Sequence, residues 1–177
     1  MTWRKSKVEE LWRSEDGVWL IRGIDEGYRV YCFPVPGSEP VRYVEEPMMG
    51  LNAAKRLVKA VLKRWKTACL PEGLSPIMCD AILEFRELHL KDYGVQKEAC
   101  GECYNASVAF LDFLRRKNVI KPDDDYGLQQ IELSADDAKL PYRGFTHYVA
   151  RIGKTCFDWT ARQYCWSMVF PYIWESE

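Results

Sequence analysis

The sequence predicts an α+β fold, on three observations. Short runs rich in β-branched and aromatic residues lie toward both ends of the chain. Stretches with apolar residues at helical spacing lie between them. A break at Leu70-Pro71-Glu72-Gly73 separates a basic front, with 13 Lys/Arg against 9 Asp/Glu, from an acidic back, with 12 against 17. The charge split and the break give the expected organisation: a small β-β-β-α module over residues 1–70 and a second domain over 71–177. A chain of 177 residues with 47% hydrophobic and 14% aromatic content has ample material for both.

Residues 1 to 16 are charged, with Trp3, Leu11 and Trp12 as anchors. Val18 to Arg22 and Tyr28 to Phe33 flank Asp25-Glu26-Gly27 and read as a hairpin, and Val41 to Val44 follows Pro34 to Pro40 as a third strand. From Gly50 to Lys66 a helix is predicted, because Leu51, Ala54, Leu57, Val58, Val61, Leu62 and Trp65 recur on one face. Its other face carries Lys55, Arg56, Lys59, Lys63 and Lys66 with no acid and no interleaved aromatic. That face reads first as a solvated helix surface, with contact to an anion or an acidic partner as the functional alternative. Single-strand stacking gets no support from it.

After the break, Ser75-Pro76 starts a second helix, Ser as N-cap and Pro at the first helical position, with an expected end near Tyr93. His89 reads as an ordinary histidine at its end. A third helix is expected from Cys103 to about Asn118, since Cys103, Ala106, Phe110, Phe113 and Leu114 repeat at three and four. It closes on Arg115-Arg116-Lys117, cations suited to a helix C-terminus. Leu128 to Leu133 is a strand. Thr146 to Ile152 and Thr155 to Thr160 flank the two-residue loop Gly153-Lys154, a hairpin with Gly where a II′ turn needs it.

That hairpin gives the candidate site. With Gly153-Lys154 as the loop, Ala150 faces Phe157 and Val149 faces Asp158. His147 then shares a face with Asp158 as its diagonal neighbour, about 7–8 Å away between backbones. Tyr148, Ala150, Ile152, Phe157 and Trp159 form the opposite, apolar face. Cys103 stands in the first turn of a helix, where unpaired N–H groups and the helix dipole favour a thiolate and can hold an oxyanion. A thiol nucleophile, an imidazole base and an acid orienting it make a coherent set: Cys103, His147 and Asp158. Glu102, beside the thiol, opposes a thiolate unless it is turned away. A competing reading makes Cys100 and Cys103 a redox dithiol, or half a zinc site completed by His147, Cys156 or Cys165. No second Cys-x-x-Cys accompanies them, and neither metal nor cofactor is expected.

Cys100-Gly101-Glu102-Cys103-Tyr104 resembles the Cys-Gly-Ser-Cys-Trp/Tyr signature of papain-like cysteine peptidases, with Glu102 in place of Ser or Ala. The histidine follows after 44 residues and the acid 11 later, which is similar to the compact transglutaminase-like core of that superfamily. Phe157-Asp158-Trp159-Thr160-Ala161-Arg162-Gln163 also looks like the Asp-x-Thr segment of bacterial papain-fold toxin and protein-glutaminase domains. The resemblance spans about residues 75 to 165. It implies a Cys-bearing helix packed on an antiparallel sheet, and amide chemistry through a thioacyl enzyme on a protein or peptide substrate: proteolysis, deamidation or acyl transfer. It also implies an oxyanion-supporting glutamine, with Gln96 and Gln163 as the two candidates.

Seven scattered cysteines and an N-terminus without an apolar signal run predict a reducing, cytoplasmic setting. No apolar stretch approaches the roughly 18 residues of a membrane span, so no membrane partner is expected. Two other functions stay open: a non-enzymatic inhibitor acting through an aromatic patch that includes Trp159, Trp166 and Trp174, and nucleic-acid binding through the basic helix.

Overall fold

In the computed structural model the chain is α+β, with two antiparallel sheets and three α-helices among the described residues. These are all residues except 7, 8, 16, 34–38, 69, 96, 134–144, 165–167 and 177, together with the side chains of 67, 132, 133 and 145. The chain divides into two compact units, Met1–Asp80 and Ala81–Glu177. The division falls inside the second helix rather than at Leu70–Gly73. Its first turn belongs with the front unit because the Asp80 carboxylate accepts hydrogen bonds from Tyr43 Oη and, at 2.9 Å, from Trp65 Nε1.

Among its described residues the front unit holds five strands, not three: β1 (Trp3–Lys5), β2 (Leu11–Ser14), β3 (Trp19–Ile24), β4 (Gly27–Cys32) and β5 (Val41–Arg42), in that order across one sheet. The module is therefore β-β-β-β-β-α. β1 and β2 escape a reading for alternation because β1 is mostly exposed and buries no full face. β2 does alternate, but one of its buried positions is Ser14. That serine is satisfied locally: its Oγ accepts from Trp19 N at 2.9 Å and donates to Trp19 O at 3.2 Å. Trp12, Ile21 and Val30 form one cross-strand row and Trp19 with Cys32 the next, all buried on the same face. α1 (Leu51–Thr67) covers this face with Ala54, Val58 and Trp65, the last stacked on Trp19 at 5.7 Å between ring centres.

α2 (Pro76–His89) begins as expected, with Ser75 Oγ accepting from Met78 N at 3.2 Å, but stops at His89 rather than Tyr93. There the His89 ring lies against Phe85 and Tyr93, and Nδ1 meets Asp92 at 3.1 Å. α3 (Cys103–Arg116) is followed by Asn118, whose φ of +55° turns the chain away. The back sheet is β6 (Tyr126–Leu133), β7 (Phe145–Ile152), β8 (Thr155–Asp158) and β9 (Tyr172–Glu175), in sequence order. β9 has no counterpart in the sequence reading, being four residues long and directly behind Pro171.

The second core is aromatic. Phe85 of α2 touches Phe110 and Phe113 of α3 and Trp159 after β8, with ring centres 4.6–5.3 Å apart. Phe110 also meets Phe157 of β8 at 5.2 Å. α3 thus lies on the sheet side that carries Tyr148, Ala150 and Phe157. Trp159 is 1% exposed and belongs to this core, not to a contact patch. Trp174 is half-buried and stacked on Tyr172, and Trp166 lies outside the described residues.

Candidate functional site

The β7–β8 hairpin has the register that the Gly153-Lys154 loop dictates: Ile152 opposite Thr155, Arg151 opposite Cys156, Ala150 opposite Phe157. Gly153 takes φ +56°, a backbone state that a side chain would disfavour. Strand alternation then sends His147 and Asp158 to the sheet side away from Tyr148 and Phe157. There the His147 ring and the Asp158 carboxylate meet, Nε2 to Oδ2, at 2.7 Å. His147 is 0% exposed and Asp158 5%.

Three donors converge on that carboxylate. Thr160 N–H and Oγ1–H reach Oδ1 at 2.8 and 3.2 Å, and His147 Nε2–H reaches Oδ2. The spacing of Asp158 and Thr160 lets the acid close a tight turn onto its own backbone, which fixes the carboxylate before it meets the imidazole. With Nε2 carrying the proton, Nδ1 presents a lone pair. The group at Nδ1 is the Tyr164 hydroxyl, at 2.9 Å. Burial, then the neighbouring Cys103, Asp158 and Cys100, push the Tyr164 phenol well above the ordinary tyrosine range, so it stays protonated and donates.

Cys103 is in the first turn of α3 and half-buried, and Cys100 is exposed. Helix geometry leaves the N–H groups of this turn without intrahelical acceptors. Glu102 precedes the helix, and its carboxylate is turned to Asn105, whose Nδ2 donates to Oε2 at 2.8 Å. Gly101 adopts φ +81° and gives its N–H to Gln163 Oε1 at 3.3 Å. Gln163 Nε2 in turn donates to Thr160 Oγ1 at 3.0 Å. One chain of polar contacts therefore runs from the loop before Cys103 through Gln163, Thr160 and Asp158 to His147 and Tyr164.

Of the residues expected at the site, His147 and Asp158 are in direct contact. Cys103 is within electrostatic reach of Tyr164, and Gln163 braces the turn between Gly101 and Thr160. Gln96 lies outside the described residues. Sequence reasoning misses Tyr164 and Thr160; the Asp-x-Thr spacing is the one signal for Thr160. Lys55 is half-buried, while Lys59, Lys63 and Lys66 are exposed on α1 in the other unit. Among the described residues no group of three or more His, Cys, Asp or Glu side chains is placed to hold a metal ion, and no helix is long and apolar enough to cross a membrane. Comparison of the chain with protein-family models, with curated proteins and with solved structures gave no match.

Proposed function

We propose that the back unit is a cysteine-dependent hydrolase or acyltransferase acting on amide bonds, on a core resembling the papain-like and transglutaminase-like enzymes. The observation that carries this reading is the buried His147–Asp158 contact at 2.7 Å, which orients the imidazole and leaves Nδ1, the nitrogen turned from Asp158, at the Tyr164 hydroxyl. A histidine held this way is a base with a fixed tautomer. In the reaction His147 Nδ1 takes the Cys103 proton and the thiolate attacks the amide carbon. The oxyanion is met by N–H groups of the first turn of α3, and the imidazolium protonates the leaving nitrogen as the C–N bond breaks. Water or an amine then attacks the thioacyl carbonyl, giving an acid or a new amide and restoring the thiol. The substrate is a peptide, isopeptide or glutamine side chain on a protein.

Iodoacetamide labelling near neutral pH, read by peptide mass spectrometry, tests the assignment. Cys103 is expected to label fastest, ahead of exposed Cys100. Burial pushes the thiols of Cys32 and Cys79 up to about 12 and also raises Cys156, so these three are expected to stay unlabelled. Preferential labelling of Cys100 would remove Cys103 as the nucleophile.

A second reading concerns the front unit and rests on Trp3. The sequence shows no aromatic on the basic helix face, yet the sheet brings Trp3 there, with Lys55 Nζ 5.9 Å from its ring centre. A groove of about 470 Å³ is lined by Met1, Trp3, Asn52, Lys55, Arg56 and Lys59, three cations and no acid. An aromatic beside cations suits a single-stranded nucleic acid. Binding of an oligonucleotide is then expected to weaken steeply with salt, and Lys55→Glu with Lys59→Glu to abolish it; a salt-independent affinity would dispose of this reading.

A further inference from the structure

We propose that Tyr164 is a resting-state latch on this site: its hydroxyl occupies His147 Nδ1, the nitrogen that the Cys103 thiol must reach, so the thiol–imidazole pair forms only when Tyr164 turns away. The inference rests on the thiol-enzyme reading above and adds to it a residue that controls when the chemistry starts.

Four observations support it. His147 is 0% exposed, and both its ring nitrogens have partners, Asp158 on Nε2 and Tyr164 on Nδ1. An imidazole in that state is oriented but not available to a thiol. Next, the sheet side that holds α3 is the one carrying Tyr148 and Phe157, so the imidazole is presented from the opposite side, at the point where β8 ends. The thiol would reach His147 only around that strand end, and the contact the imidazole makes there is with Tyr164. The Tyr164 ring packs edge-on against the imidazole, with centres 5.1 Å apart, and thus covers the ring as well as capping its nitrogen.

The fourth observation is how Tyr164 is held. It follows the short 3₁₀ turn Ala161–Gln163, and that turn is fastened twice to the segment leading into α3. Arg162 Nη1 donates to Gly94 O at 3.0 Å, and Gln163 Oε1 accepts from Gly101 N at 3.3 Å. The same turn is tied forward by Arg162 Nε to Met168 O at 3.0 Å. The turn that leads into Tyr164 is thus tied to the segment that precedes Cys103. Release leaves the phenol protonated: the S–H bond of Cys103 breaks, the N–H bond at Nδ1 forms, and thiolate and imidazolium result with no proton passing through Tyr164.

This assigns Tyr164 as a positioning residue with an unusual sign: removing its hydroxyl should raise the reactivity of the thiol. In Tyr164→Phe, iodoacetamide labelling of Cys103 at pH 7 is expected to rise roughly three- to tenfold, the range set by one net side-chain hydrogen bond. Cys100, labelled in the same sample, serves as reference and should not change. Adding His147→Ala to Tyr164→Phe should erase the gain. In the same variant the ¹⁵N resonance of His147 Nδ1 should move toward that of a nitrogen without a donor while Nε2 stays, a readout that requires no activity. An unchanged or slower Cys103 rate, or an equal rise at Cys100, overturns the latch. The two levels separate cleanly. If His147→Ala slows Cys103 labelling but Tyr164→Phe does not accelerate it, the latch alone fails; if His147→Ala is without effect in both backgrounds, the thiol–imidazole pair fails and the latch with it.

Discussion

Asp158→Ala is expected to cost roughly 3–5 kcal/mol in urea unfolding, the range for removing one member of a buried polar pair. The size follows from what the carboxylate satisfies: Thr160 N–H, Thr160 Oγ1–H and His147 Nε2–H, all on residues no more than 5% exposed. Alanine leaves all three without an acceptor in a dry setting, and each unmet donor costs about 1–3 kcal/mol. Asp158→Asn separates stability from chemistry. Its amide oxygen still accepts from Thr160, but its NH₂ faces Nε2 and favours the tautomer with the proton on Nδ1, which Tyr164 Oη can accept. The variant is expected to unfold close to wild type while Cys103 labelling falls, because the lone pair then points at the substituted amide and not toward the thiol. Labelling of Asp158→Asn at the wild-type rate would show that the tautomer does not matter here.

His147→Ala should lower the rate of Cys103 alkylation at pH 7 by about ten- to a hundredfold, with Cys100 unaffected. General-base assistance by a positioned imidazole is typically worth 10²–10⁴-fold in a reaction, and the latch hides part of that benefit in the resting protein. The reduction should persist in Tyr164→Phe and be larger there. An amide substrate, once identified, should show loss of turnover in Cys103→Ala with the fold retained, because Cys103 is only half-buried and contributes little to the core. Retention of full biological activity in that variant would turn the reading toward a binding protein.

The contact of His147 with Asp158 was legible because it depends on a short-range fact. A two-residue loop at Gly153-Lys154 fixes the hairpin register, and the register fixes which side chains share a face. Cys103 was legible as a helix start for a similar reason, since apolar spacing from Ala106 to Leu114 defines the helix and hence its first turn. Glu102 looked like an obstacle in the sequence. Its neighbour three positions on, Asn105, draws the carboxylate aside, an interaction of helix geometry that residue types alone do not announce.

The less legible features come from long-range pairing. Trp3 and Leu11 to Ser14 read as charged surroundings with isolated anchors, and only pairing across to Trp19–Ile24 makes them strands and sets Trp3 beside Lys55. Asp80 looked like a helix residue of the back domain, and its bonds to Tyr43 and Trp65 tie it to the front.

The sequence by itself determined the α+β class, the three helices, the hairpin register and the pairing of His147 with Asp158, all set by local periodicity and turn chemistry. Tertiary structure alone decided that Tyr164 stands at His147 Nδ1. Its position depends on Arg162 reaching Gly94 and Gln163 reaching Gly101, contacts across more than sixty residues that no local pattern encodes.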